Sequence, residues 1–222
     1  KILNQLPEQR QNLLFSATFN DKITKFTNGL LHDPAIVQCQ RLNKAAEDVK
    51  LIIYEVEQNE KADIVYYLLA NNTQQCLVFA RTRRNANLVD AYLRKKGMSS
   101  AALHSDKSQH LRTQTLQKFK DGEIQILVAT DIAARGLDIE QLPLVINFDI
   151  PRQAEDYVHR IGRTGRAGMR GVAISLMGGD ERSNVAAIEK LIQQQIFIAA
   201  IPYIDGKNSF EYDSEIIASA LL

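Results

Sequence analysis

Apolar and polar positions along the chain alternate between two kinds of pattern. Val49–Glu57, Gln75–Ala80, Ser100–His104, Ile124–Thr130, Leu144–Asp149 and Gly171–Met177 are short, largely uninterrupted apolar runs, which predict strands buried on both faces of a parallel sheet. Between them lie segments of helical period: Asn59–Ala70, Arg83–Lys96 with Gly97 as its stop, Ser108–Lys120 with Gly122 beyond it, Gln153–Ile161 and Asp180–Ile196. Nearer the N-terminus, Gln11–Ser16 is a strand candidate. An amphipathic helix is expected from Asn20, its N-cap, to Leu31, with Pro34 beyond its end. Ala35–Gln40 reads as a further strand, followed by a polar loop over Arg41–Asp48. Strands alternating with helices of this length imply βαβ units, hence an α/β fold with helices on both faces of a parallel sheet, three layers in all. The acidic stretch Ile201–Leu222 has no clear period and fits a closing helix, a linker or a disordered end equally.

Bulk properties narrow the class. With 222 residues, 45% of them hydrophobic and 24% charged, the chain suffices for one sizeable globular domain and an appendage. No apolar run approaches the roughly 18 residues needed to span a membrane, and no signal-peptide pattern opens the chain. The expectation is a cytoplasmic protein without a membrane partner. Cys39 and Cys76 fall in apolar segments away from any second cysteine or histidine at ligand spacing, so they read as buried thiols and no metal site is expected. The net charge of +1 conceals an uneven distribution, with +6 over residues 81–170, −1 before them and −4 after. The basic middle therefore suits a polyanionic ligand.

Two stretches in that middle carry candidate chemistry. Tyr157–Gly168 places Arg160, Arg163 and Arg166 three residues apart among Gly162, Gly165 and Gly168. A solvated basic helix end is the plain alternative, but it has no use for glycines that each cost about 1 kcal/mol relative to Ala in a helix. Ile126–Asp138 is an apolar run ending in Thr130-Asp131, as in a buried strand whose carboxyl end meets ligand. Ile132-Ala133-Ala134 then suggests a short helical turn, whose N–H groups serve either a phosphate or a simple Thr/Asp cap. Both stretches are expected on one rim.

Taken in order, Ser16-Ala17-Thr18, Leu77–Thr82, Thr130–Asp138 and His159–Arg166 resemble motifs III, IV, V and VI of the DEAD-box RNA helicases. The resemblance covers roughly residues 12–180 and implies a C-terminal RecA-like domain over 34–200. Residues 1–33 would be the end of the preceding RecA-like domain and linker, and 201–222 a tail. It further implies ATP as cofactor, with Mg2+ held mainly by the preceding domain, and RNA and that domain as partners. Arg163 and Arg166 would be arginine fingers at the γ-phosphate, with His159 making a contact across the domain interface. Gly136 would approach the nucleotide and Asp138 would bind a ribose hydroxyl, unless it simply pairs with Arg135. Arg81, Thr82, Arg112, Thr130 and Asp131 would contact the RNA backbone. One departure is Ser105, in His104-Ser105-Asp106, where the family usually has glycine.

What the sequence lacks also matters. No Gly-x-x-x-x-Gly-Lys-Ser/Thr loop is present, so the chain alone is expected to be inactive toward ATP. Asp180-Glu181 is explained by a helix macrodipole without invoking a metal. The competing readings are a non-catalytic RNA-binding or regulatory module of the same fold, and a DNA-directed helicase of the wider superfamily.

Overall fold

The computed structural model describes residues 5–7, 9–16, 21–31, 33–37, 49–70, 74–139, 141–165 and 170–199. It divides into two compact units, residues 1–41 and residues 42–222.

Among its described residues the first unit has the helix α1 (Asp21–Asn28), with Leu30 and Leu31 N–H groups turning back onto the Thr27 carbonyl. The expected strand at Gln11–Ser16 is not formed. Its backbone has no sheet partner among the described residues, and Phe15 is 90% exposed. An apolar run becomes a strand only when a neighbour satisfies its N–H and C=O groups. The same correction applies to residues 35–37 of the expected strand Ala35–Gln40, where Ile36 and Val37 are exposed. Asn20, Ala17, Thr18 and Cys39 lie outside the described residues.

The second unit is built on seven strands: β1 (Val49–Glu55), β2 (Cys76–Phe79), β3 (Ser100–Leu103), β4 (Ile126–Ala129), β5 (Leu144–Asn147), β6 (Gly171–Met177) and β7 (Phe197–Ala199). Their order is β3-β4-β2-β5-β6-β1-β7, every pair parallel. Helices α2 (Lys61–Ala70), α3 (Arg83–Lys95), α4 (Gln109–Lys120), α5 (Asp131–Ala134), α6 (Ala154–Ile161) and α7 (Arg182–Ile192) come after β1 to β6 in turn. Alternate strand residues feed two separate cores. Leu77, Phe79, Leu127, Ala129 and Val145 pack with Phe119 of α4, Tyr157 of α6 and Ile188 of α7. Cys76, Val78, Ile126, Val128 and Ile146 pack on the other face with Ile64 and Leu68 of α2 and Val89 and Leu93 of α3. The three-layer α/β/α expectation therefore holds.

Register puts the functional residues at one edge. Phe79 pairs with both Ala129 and Asn147, and Leu103 pairs with Ala129, so β2 to β5 end on one level. The loops leaving these four strands must therefore emerge on the same rim.

Local chemistry sets the helix limits. Thr82 and Ser108 accept the N–H groups of Asn85 and Leu111 and so cap α3 and α4, while Gly97 and Gly122 stand beyond their ends at φ 85° and 78°. The single helix expected over Asp180–Ile196 is instead a 3₁₀ turn (Gly179–Glu181), then α7, then a left-handed Gln193 and β7. Three residues of strand carry no usable period. Ser105 does not take a positive φ, so the glycine usual at that place is dispensable in this backbone. No described helix is long and apolar enough to cross a membrane.

Candidate functional site

Arg160 organises the rim from inside. Although α6 is amphipathic, this arginine points inward and is 1% exposed. Its Nε and Nη2 donate to the two carboxylate oxygens of Asp131, at 2.6 and 2.9 Å, at the start of α5. Nη1 donates to Asn147 Oδ1 at 3.1 Å and to the Asp149 carbonyl at 2.7 Å, just past β5. The guanidinium carbon also lies 5.1 Å from the centre of the Phe79 ring at the end of β2. One cation thus ties together the ends of β2, β4 and β5. A bidentate carboxylate with further acceptors meets the conditions under which a buried charge is tolerated. Asn147 passes the network on to Ser175 at 3.0 Å, and the buried Tyr157 hydroxyl is pushed up to about 12 by burial.

The segment after α6 is fixed by close backbone approach. Arg163 O accepts from Leu142 N at 3.0 Å, and the buried Thr164 hydroxyl donates to the Leu142 carbonyl. A Cβ at Gly171 would lie 1.9 Å from Thr164 Oγ1 and 2.5 Å from Gly165 N, so β6 must begin with glycine here. Gly165 and Gly136 take φ values of 63° and 71°, which they alone tolerate without strain.

On this platform Arg163 leans across to the loop after α5. Its Nη1 donates to the carbonyl of Leu137 at 2.8 Å, with that of Ile139 at 3.4 Å. Asp138, between those residues, turns its carboxylate outward; it is 91% exposed and bonds Lys120 at 2.9 Å, which holds its carboxyl below the usual range. Arg135 pairs with Asp156 rather than with Asp138. His159 stands one turn along α6 with Nδ1 4.0 Å from Asp156 and Nε2 without a protein partner. Burial, reinforced by Arg135, depresses its pKa, so it stands neutral near pH 7. The structure therefore brings Gly136, Asp138, His159 and Arg163 together. Arg166 lies outside the described residues.

Elsewhere on the rim, Arg81 and Thr82 come after β2, and Thr130 and Asp131 after β4. Thr82 is engaged as the α3 cap, whereas Thr130 makes no side-chain bond to α5. The Asp131 carboxylate is consumed by Arg160. Arg81 donates its backbone N–H to Asp149 Oδ2 at 2.8 Å, and Asn85 reaches the same carboxylate at 3.1 Å. Arg112, in the first turn of α4, bonds Gln109 at 3.2 Å.

Sequence reasoning missed Arg160's inward role, Asn147, Asp149 and Gly171, and it explained Glu181 by a helix dipole. Glu181 is instead buried between Lys61 and Arg81. Asp149 was findable, since it ends an apolar run just as Thr130-Asp131 does. Among the described residues, no cluster of His, Cys, Asp or Glu could hold a metal ion.

Comparison with known proteins places this geometry. The helicase conserved C-terminal domain model matches residues 60–168. The ATP-dependent RNA helicase RhlB of Pseudomonas syringae pv. tomato is 40% identical over 199 residues, which are 88% of this chain and 50% of that protein. The DEAD-box ATP-dependent RNA helicase CshA of Geobacillus kaustophilus is 39% identical over 205 residues, 92% of this chain and 44% of that one. The chain thus spans about half the length of the curated relatives it matches. Among solved structures, the E. coli DEAD-box protein SrmB, bound to regulator of ribonuclease activity A, is 32% identical with a TM-score of 0.65, covering 71% of this chain and 92% of that chain. S. cerevisiae Dbp5 bound to RNA and ADP BeF3 is 26% identical with a TM-score of 0.86, covering 100% and 57%.

Proposed function

Because the chain belongs to the DEAD-box RNA helicases, as their C-terminal RecA-like domain, we propose that it is the half of an ATP-dependent RNA helicase that closes over nucleotide and RNA. The reading is supported by one observation above others: Arg163 reaches from the segment after α6 onto the loop that carries Gly136 and Asp138, with the Asp138 carboxylate turned outward. These residues fit part of a nucleotide. An exposed carboxylate accepts from a sugar hydroxyl and repels phosphate, while a guanidinium fork matches phosphate oxygens and keeps its charge.

Bound ATP would supply the phosphoryl-transfer chemistry, with Mg2+ held mainly by a preceding RecA-like domain. Arg163 and Arg166 stabilise the charge that develops at the γ-phosphate, a contribution on the order of 10³ to 10⁵ in rate for an arginine finger. His159, neutral near pH 7, makes the contact across the domain interface that the family resemblance implies. Arg81, Arg112 and Thr130 hold the RNA backbone on the neighbouring part of the rim, without reading sequence. Domain closure then completes the site and pries apart a short duplex locally. The chain alone, lacking the triphosphate-cradling loop, hydrolyses no ATP.

The test uses the full-length enzyme. Arg163→Ala is expected to lower RNA-stimulated ATP turnover by roughly 10² or more while leaving nucleotide-free RNA affinity unchanged. Normal turnover would remove Arg163 from this role.

A further inference from the structure

Two buried ionisable groups, Lys61 and Glu181, play no part in the mechanism above. Lys61 Nζ and Glu181 Oε2 are 3.0 Å apart, with side-chain exposures of 0% and 5%. An ion pair so deeply buried is weak evidence for stability, because desolvation offsets much of the attraction. Its geometry points outward instead.

Glu181 is held from behind. Its Oε2 accepts from both Lys61 Nζ and, at 2.9 Å, the backbone N–H of Gly178 at the end of β6. Lys61 is itself seated 5.9 Å from the centre of the Phe148 ring. With one oxygen anchored twice, the carboxylate has a single orientation, and its other oxygen, Oε1, accepts from Arg81 Nη2. The same Nη2 donates to the Ile150 carbonyl at 2.9 Å. Arg81 is therefore clamped between the ends of β5 and β6, while its side chain remains 30% exposed at the rim. Its Nη1 has no protein partner among the described residues, and Nε is buried without one.

We infer that Glu181, fixed by Lys61, is the positioning residue for Arg81, presenting its guanidinium to an RNA phosphate with its ordering cost already met in the folded protein. This inference rests on the proposed RNA contact of Arg81 and adds what orients it. A flexible arginine loses rotamer freedom when it meets a phosphate, and an arginine clamped beforehand loses less. Lys61 makes the device compatible with burial, since it gives the 5% exposed Glu181 carboxylate a second cation and fixes its orientation from the side away from Arg81.

A double-mutant cycle in the full-length protein tests the inference. Removing Glu181 alone would strand Lys61, so the partner-matched variant Lys61→Met/Glu181→Gln is used, which keeps the volume and removes both charges. Affinity for a 20-nucleotide oligouridylate is measured by fluorescence anisotropy across a salt series, for wild type, Arg81→Ala, the partner-matched variant and the combination of all three changes. Arg81→Ala is expected to weaken binding several-fold and to flatten the salt dependence by about one phosphate's worth. The partner-matched variant should reproduce most of that loss, and adding Arg81→Ala to it should cost only the small remainder. RNA-free nucleotide affinity and the melting temperature, which a merely structural pair would move together with binding, should stay near wild type. If Arg81→Ala alone has no effect, the RNA contact itself is wrong. If Arg81→Ala weakens binding but the partner-matched variant does not, or the two losses simply add, the positioning role is refuted. A partner-matched variant that melts far below wild type assigns the pair to stability and likewise overturns the inference.

Discussion

Asp131→Ala isolates what Arg160 does, and its cost can be worked from the geometry. The substitution removes both carboxylate acceptors of a guanidinium that is 1% exposed. Leaving one partner of a buried ion pair without the other typically costs about 3 to 5 kcal/mol. Two features argue for the lower end. Asp131 is 23% exposed, so water reaches part of the vacated space, and Asn147 Oδ1 and the Asp149 carbonyl still accept from Nη1. A loss near 3 kcal/mol would be a large fraction of the roughly 5 to 15 kcal/mol that holds a domain together. For a unit of this size it corresponds to a fall in melting temperature of about 6 to 12 °C. Asp131→Asn keeps one acceptor oxygen and should lose roughly half as much. Thermal melts and urea titrations of the two variants supply the measurement. An Asp131→Ala variant melting within about 2 °C of wild type would show that Arg160 does not depend on the pair.

Two further outcomes are expected from other parts of the rim. Gly171→Ala would place a Cβ 1.9 Å from Thr164 Oγ1, so it should cost about 1 to 3 kcal/mol and displace the 163–165 segment; unaltered stability would mean that the contact yields freely. His104 and His159 both titrate below the ordinary 6.5 because burial disfavours the imidazolium. The unfolded chain therefore takes up protons first on acidification. Their contribution to stability is complete above pH 6.5 and declines below it until the folded-state groups protonate. Urea midpoints at pH 7.5 and 5.5 check the sign, and a midpoint that rises on acidification would contradict it.

How much of this was legible in the sequence depended on whether the determinant was local. Gly171–Met177 is readable with its observed limits because seven consecutive buried residues open on one glycine and precede two more. The caps Thr82 and Ser108 act within three residues of themselves and so are equally local, although the helical pattern alone assigns neither of them that role. Phe197–Ala199 is not visible as a strand, since its identity depends on pairing with Ile52–Tyr54 more than a hundred residues earlier. The N-terminal apolar run fails in the opposite sense, with a local pattern present and no strand to pair with among the described residues. Glu181 falls between these cases. Its place at a helix start can be anticipated locally, but the cations that claim it come from Lys61 and Arg81, which no spacing connects.

The three arginines spaced at 160, 163 and 166 show the limit most clearly, and the two described ones yield a final prediction. Spacing alone assigns them one role, yet a step of three along a helix turns the side chain by about 300°, so neighbours in the series need not share an environment. Arg160 faces the sheet and is enclosed by Asp131, Asn147 and Phe79, whereas Arg163 lies past the helix end against the 137–139 backbone and is only partly buried. A guanidinium 1% exposed cannot meet a ligand without dismantling the ends of three strands. Lysine keeps the charge of either arginine and discards the planar fork. Arg160→Lys should therefore lower the melting temperature by several degrees, because one ammonium cannot bridge both Asp131 oxygens and the β5 end together. Arg163→Lys should leave the melting temperature close to wild type and instead lower RNA-stimulated ATP turnover in the full-length enzyme, if the proposed γ-phosphate contact uses the planar fork. Should the two variants exchange these phenotypes, the division between an arginine that builds the rim and an arginine that acts from it would be wrong.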